Sequence, residues 1–250
     1  MTLTGRIAVI GGGSGKVGSS IAEVLAAHGA YVIVQYNRNF ARAEELCMHI
    51  RDNGGYAIHE WCDATEEASV RELFDRVNER YGCPEILVNC VHPPGGTETV
   101  VEMSDSSWKP HLEALYANFY LCKYAVPYLR RSGRGRIIYI SGGLSKRFYP
   151  GKSAYSAIKG AINNFCKTLA LEEAPYGTTV NIVAPGRVQT ESFEGASIDS
   201  SEKAGMVFTT PLVRAVTGAD VGETVAFYAS DAAACITGQT IYIASGEIIP

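Results

Sequence analysis

Several absences narrow what this chain of 250 residues can be. It has no apolar run approaching the roughly 18 residues that a membrane span needs. It carries no long block of one charge, and its net charge of −4 gives no sign of a nucleic-acid partner. The seven cysteines are odd in number and include no C-x-x-C pair, and the five histidines are scattered. A disulfide framework or a metal site is therefore not expected. The opening residues, MTLTGRIAVIGGG, run straight into a strand-like segment without signal-peptide architecture. There is no internal repeat and no linker. A cytoplasmic chain with reduced, buried cysteines is the expectation, with no membrane and no nucleic acid among its partners.

What is present is an alternation of short apolar runs with helix-like segments. Strands are expected at Ile7–Ile10, Tyr31–Gln35, Tyr56–Cys62, Ile86–Asn89, Arg136–Ser141, Thr179–Ala184 and Thr240–Ala244. Helices are expected near 17–28, 40–53, 66–80, 105–131, 153–174 and 219–230. The fourth helix contains Pro110 and Pro127 and should be broken or bent. This alternation predicts an α/β fold: a single Rossmann-like domain over 1–250, with a doubly wound parallel sheet flanked by helices on both faces. The segment 190–210, rich in Ser, Glu and Gly, reads as a surface loop or as a lid over a substrate.

The first strand runs into Gly11-Gly12-Gly13-Ser14-Gly15-Lys16-Val17-Gly18. A glycine turn between strand and helix sets free backbone N–H groups and the helix dipole opposite an anion. Gly13 to Gly18 fit G-x-G-x-x-G. Alternatively, Gly12 and Gly18 are the outer members of G-x-x-x-G-x-G, with Lys16 in the place of the middle glycine. A P-loop is excluded because the lysine is not followed by Ser or Thr. The second strand ends Gln35-Tyr36-Asn37-Arg38 with no acid to meet ribose hydroxyls. Arg38 would instead suit a 2′-phosphate, which favours NADP over NAD.

The order of motifs resembles the short-chain dehydrogenase/reductase family over essentially the whole chain. After the glycine loop come Cys62-Asp63, ILVN at 86–89, Asn118 in YANFYLCKYAVPYL, GRIIYIS, Tyr155-x-x-x-Lys159, VNIVAPG, Arg187-Val188-Gln189-Thr190 and ITGQTIYIASG. The resemblance implies cofactor contacts from Gly12, Ser14, Lys16, Val17, Gly18, Arg38, Asp63, Asn89, Lys159, Pro185, Gly186, Val188 and Thr190. It also implies that Tyr155 is the acid/base, Lys159 its modulator and Asn118 a relay. Tyr155 and Lys159, four residues apart on a helix, share a face. A neighbouring ammonium is expected to lower a tyrosine whose ordinary pKa is about 10.

The chain departs from the family pattern where cofactor and substrate would be touched. Lys16 costs roughly 1–2 kcal/mol if its position needs a positive φ, and its ammonium would either pair with a phosphate or occupy the phosphate's place. Asn89-Cys90-Val91-His92 stands for N-N-A-G. Gly142 stands thirteen residues before Tyr155, where the family has a serine that bonds the substrate oxygen. Ser141 or Ser145 would have to substitute, and Ser141 is the candidate. Ala244-Ser245 replaces an acid-glycine pair. The segment Lys146–Lys152, with three cations and two aromatics, suits an anionic aromatic or CoA-thioester substrate, or is a solvated loop.

Two functions follow from the resemblance. One is an NAD(P)-dependent oxidoreductase interconverting a secondary alcohol and a ketone on a small-molecule substrate. The other is a weakly catalytic or non-catalytic subunit, with cofactor binding lost, that stabilises an active paralogue. The family's oligomers form through the long helices at 105–131 and 153–174, so a homo-oligomer or a hetero-oligomer with a homologous subunit is expected.

Overall fold

The computed structural model describes residues 2–189, 211–212 and 214–248. Thr190 and the segment 190–210, expected as a cofactor contact and a lid, lie outside the described residues. The elements run β1 (Ile7–Gly11), α1 (Lys16–Ala27), β2 (Tyr31–Tyr36), α2 (Phe40–Asp52), β3 (Tyr56–Trp61), α3 (Glu67–Arg80), β4 (Ile86–Asn89), α4 (Asp105–Ser132) and β5 (Arg136–Ile140). They continue with α5 (Ser153–Glu173), β6 (Thr179–Pro185), β7 (Val188–Gln189), β8 (Val216–Thr217), α6 (Gly218–Ala229) and β9 (Thr240–Ile243).

Seven strands form one parallel sheet in the order β3-β2-β1-β4-β5-β6-β9. Alternate residues of each strand enter opposite layers, as a pleated strand requires. Ala8, Ile10, Ile138 and Ile140 pack with α1, α2 and α6. Ile7, Val9, Ile137 and Tyr139 pack with α3, α4 and α5. The strand order reverses between β1 and β4, and the carboxyl ends of strands at such a point open a crevice. Both expected features, the parallel sheet and the two helical layers, are present. The short β7–β8 pair was not expected; two-residue strands carry no periodic signal.

Helix ends follow local chemistry. Asn39 caps α2 by accepting from Arg42 N, Ser104 caps α4 by accepting from Ser107 N, and Thr217 with Asp220 forms a capping box on α6. The expected break is not there: α4 is one continuous helix through Pro110 and Pro127. Its buried stripe, His111, Ala114, Ala117, Asn118, Leu121, Cys122, Ala125 and Leu129, runs from just after Pro110 to just past Pro127. Burial of that stripe against α3 and α5 outweighs the two missing backbone donors.

Candidate active site

The glycine loop is built by close backbone approach. Gly12 has φ +70°, and a Cβ on Gly18 would stand 2.4 Å from Gly12 O. No side chain fits at either position. Gly12 N donates to Gln35 Oε1 at 2.7 Å, and Gln35 Nε2 donates to Cys62 O at 2.6 Å. One buried amide thus ties the loop to the end of β3. Lys16 begins α1 directly after the cap residue Gly15, so it needs no positive φ and carries none of the expected strain. Its side chain is exposed.

A cleft of about 1100 Å³ runs from this loop across the carboxyl ends of the strands. Of the residues that the sequence singled out, Gly12, Ser14, Lys16, Val17, Gly18, Arg38, Asp63, Ser141, Tyr155, Lys159, Pro185, Gly186 and Val188 all line it. At one end Lys16, Arg38 and Arg42 supply three cations, and Asn37 and Asn39 line the same wall. Burial alone would raise the Asp63 carboxyl. Hydrogen bonds from Thr65 and Asn37 and the nearby Arg38 outweigh it and hold Asp63 below its ordinary value.

Asn89 and Asn118 stand behind the cleft wall and hold the chain after β4. Asn89 Oδ1 accepts from Val91 N at 3.2 Å, and Asn118 Nδ2 donates to Val91 O at 3.1 Å and Ala114 O at 2.6 Å. Asn118 Oδ1 and Asn89 Nδ2 are buried without a partner. His92 is exposed, with Nδ1 2.9 Å from Pro93 O.

At the other end Tyr155 and Lys159 project from α5. Lys159 is 1% exposed, and its Nζ donates to Tyr139 Oη and to Ile140 O, each at 3.0 Å. It meets Tyr155 only across the ring, 5.7 Å from the centroid. Burial lowers the Lys159 pKa to about 7, with Cys90 and Cys166 opposing. Burial also raises the Tyr155 phenol. The expectation that the lysine lowers this tyrosine is therefore corrected for the protein alone: the ammonium is turned to β5, and desolvation dominates.

Gly142 is extended, with φ −178° and ψ 162°. A Cβ there would have Tyr155 Oη as its nearest neighbour, at 3.8 Å. Ser145 does not replace the missing hydroxyl, because its Oγ donates to Gly142 O at 2.8 Å and closes the turn. Ser141 contributes to the cleft wall, but its Oγ is covered and unpartnered. The neighbouring loops clasp each other: Lys152 Nζ donates to Gly96 O, and Gly151, at φ +75°, packs on the backbone of Thr97. Arg147, half-buried, faces Glu247 at 3.8 Å. Burial raises the Glu247 carboxyl, against the pull of Arg147 and Arg187.

Sequence reasoning did not assign Gln35, Asn37, Arg42 or Tyr139. Gln35 ends the apolar run Val32-Ile33-Val34 and Tyr139 interrupts the apolar run of Ile137, Ile138 and Ile140, and that interruption is the signal that marks them. Among the described residues no group of acids, histidines and cysteines is arranged to hold a metal, and no helix is long and apolar enough to cross a membrane.

Residues 14–247 match the family model described as Enoyl-(Acyl carrier protein) reductase. The chain is 33% identical over 250 residues to the 3-oxoacyl-(acyl-carrier-protein) reductase of Escherichia coli strain K12, covering 98% of each chain. It is 34% identical over 247 residues to an uncharacterized oxidoreductase of Methylorubrum extorquens, again with 98% of each covered. Among solved structures, a short-chain type dehydrogenase/reductase from Mycobacterium ulcerans superposes with a TM-score of 0.91 at 25% identity, covering 99% of this chain and 91% of that one. A gluconate 5-dehydrogenase from Burkholderia cenocepacia J2315, in complex with NADP and tartrate, gives 0.88 at 28% identity over 98% and 96% of the two chains.

Proposed function

This chain belongs to the short-chain dehydrogenase/reductase family, and from that premise we propose that it is an NADP(H)-dependent ketoreductase acting on a 3-oxoacyl thioester or a similar anionic ketone. The observation that carries the reading is one cleft with three cations at one end, Asp63 as the one acid among its described lining residues, and Tyr155 at the other end. The cradle fits a dinucleotide: Gly12 and Gly18 let the turn fold tightly on its own backbone, and Lys16 is exposed at the start of α1 on the cleft wall. A bound nicotinamide cofactor supplies the hydride; the chain supplies position and the proton.

The roles then fall to named groups. The loop N–H groups and the start of α1 hold the pyrophosphate, and Val17 and Gly18 shape its bed. Arg38 and Arg42, with Lys16, hold the 2′-phosphate through charge-assisted hydrogen bonds. Asp63, kept ionised, accepts from the base. Pro185, Gly186 and Val188 wall the nicotinamide end. Tyr155 Oη passes a proton to the carbonyl oxygen of the substrate, and its raised pKa keeps it protonated for that direction. Asn118 fixes the Val91 loop that borders the site. The 3-oxoacyl substrate is taken from the curated relatives; Lys146, exposed in the segment before Tyr155, agrees with an anionic one.

The same reading puts the protein in the cytoplasm as an oligomer formed through α4 and α5, whose Tyr116, Phe119 and Leu171 are exposed apolar groups. Gly142 supports a second reading, a weakly catalytic subunit paired with an active paralogue, because the substrate-side hydroxyl is absent.

Fluorescence titration with NADPH and NADH tests the proposal. NADPH should bind more tightly, and Arg38→Ala should weaken NADPH about 10–100-fold while leaving NADH nearly unchanged. Failure of both cofactors to bind would refute the ketoreductase. Tight NADPH binding without turnover, together with a second chain of similar mass after purification, would favour the subunit reading.

A further inference from the structure

Lys159 is a buried cation with no carboxylate among the groups that shift it. Cys90 faces it from the end of β4, Cys166 and Tyr155 from its own helix, and Tyr139 from β5. Cys122, on α4, interacts with both Tyr139 and Cys166. Burial holds all three thiols and both phenols above their ordinary pKa values. None is an anion at neutral pH. The ammonium is therefore sustained by neutral acceptors, and two are in place: the Ile140 carbonyl and the Tyr139 phenol oxygen, each at 3.0 Å.

Tyr139 reaches this position through strand geometry. Ile138 and Ile140 turn to the α1 and α6 layer, whereas Ile137 and Tyr139 turn to the α4 and α5 layer from which Lys159 descends. The ring is 1% exposed, so water does not compete for its oxygen. The ammonium lies 4.9 Å from the ring centroid and 3.0 Å from the phenol oxygen, at the hydroxyl end of the ring.

We propose that Tyr139 is a positioning residue for Lys159: its phenol oxygen, with the Ile140 carbonyl, aims the ammonium and sustains its charge. An ammonium has three N–H donors. Two are held by β5, and the third is left to face the cleft, where a ribose hydroxyl would accept it. That last clause rests on the nicotinamide reading; the hold on the charge does not.

Tyr139→Phe removes one oxygen and keeps the packing volume. In protein labelled with 13C at the lysine ε-carbon, one lysine signal should titrate near pH 7, and it should be absent from Lys159→Arg. In Tyr139→Phe that midpoint should fall by about one unit, because a hydrogen bond to a charged group is lost. The pH at which NADPH affinity declines should fall with it. A purely structural tyrosine would lower the melting temperature yet leave the lysine midpoint where it was, and that result would overturn the proposal. Should Tyr139→Phe not fold, Tyr139→Met serves with the same expectation. If NADPH binds neither protein, the ketoreductase reading fails, while the lysine titration still decides the role of Tyr139.

Discussion

Gly142→Ser is the substitution whose outcome says most about this site. The backbone at Gly142 is extended, a conformation that serine adopts without cost. The nearest atoms to an added Cβ are Tyr155 Oη at 3.8 Å and Pro185 O at 4.0 Å, both at ordinary contact distance. A hydroxyl one bond further out comes within hydrogen-bonding range of whatever oxygen Tyr155 serves. A preorganised donor to a developing oxyanion contributes about 10²–10³ in rate, or about 2.7–4 kcal/mol. Gly142→Ser should therefore raise kcat for NADPH-dependent reduction of an acetoacetyl thioester by about that factor. The affinity for NADPH should not change, because the hydroxyl acts on the substrate. Gly142→Ala is the control: it fills the same space without a donor and should give no gain. The assay follows loss of NADPH absorbance at saturating cofactor. An unchanged kcat in a folded, NADPH-binding Gly142→Ser protein would refute the reasoning. Equal gains in the serine and alanine variants would do the same, since packing rather than a donor would then be responsible.

Two further outcomes concern stability. Burial raises Cys47 and Cys62 to about 11 and Cys90 and Cys122 to about 12, so above pH 9 the folded state keeps protons that the unfolded state has lost. That stability is complete below the unfolded thiol value and is lost as pH rises towards the folded one. Each thiol removes about 1.4 kcal/mol per pH unit in that window. Lys159, lowered to about 7, works with the opposite sign and offsets one of them. Urea midpoints should drop steeply between about pH 9 and 11, and a flat profile would contradict the burial of these groups. Ser245 is a non-glycine residue at φ 49° in the Ala244-Ser245-Gly246 turn. Replacing it with glycine should relieve about 1 kcal/mol and raise the melting temperature by roughly 2–4 °C, as calorimetry would show.

The framework was legible because its signals are periodic or local. Apolar runs of four to seven residues marked each strand of the large sheet to within about two residues. The glycine loop and the Tyr155–Lys159 spacing located both ends of the cleft. What the sequence did not show depended on long-range packing. Pro110 and Pro127 argue locally for a break, but the buried stripe from His111 to Leu129 is rewarded only by packing against α3 and α5. Lys16 looked strained only while its φ was unknown. The direction of Lys159 depends on Tyr139, twenty residues earlier, and no spacing rule connects the two.

The Gln35 amide has a mechanical consequence. It is the crosspiece between the glycine turn and the end of β3. Tilting the turn alone would strip Gly12 N and Gln35 Oε1 of their partners inside the protein, at about 1–3 kcal/mol for each orphaned group. Pulling away the chain at Cys62 would do the same to the other end of the amide. The bed for phosphates and the bed for the base are therefore one stiff frame. A long, rotatable ligand meets two anchor points at a fixed span, and its extension is set by a side chain that it never has to touch.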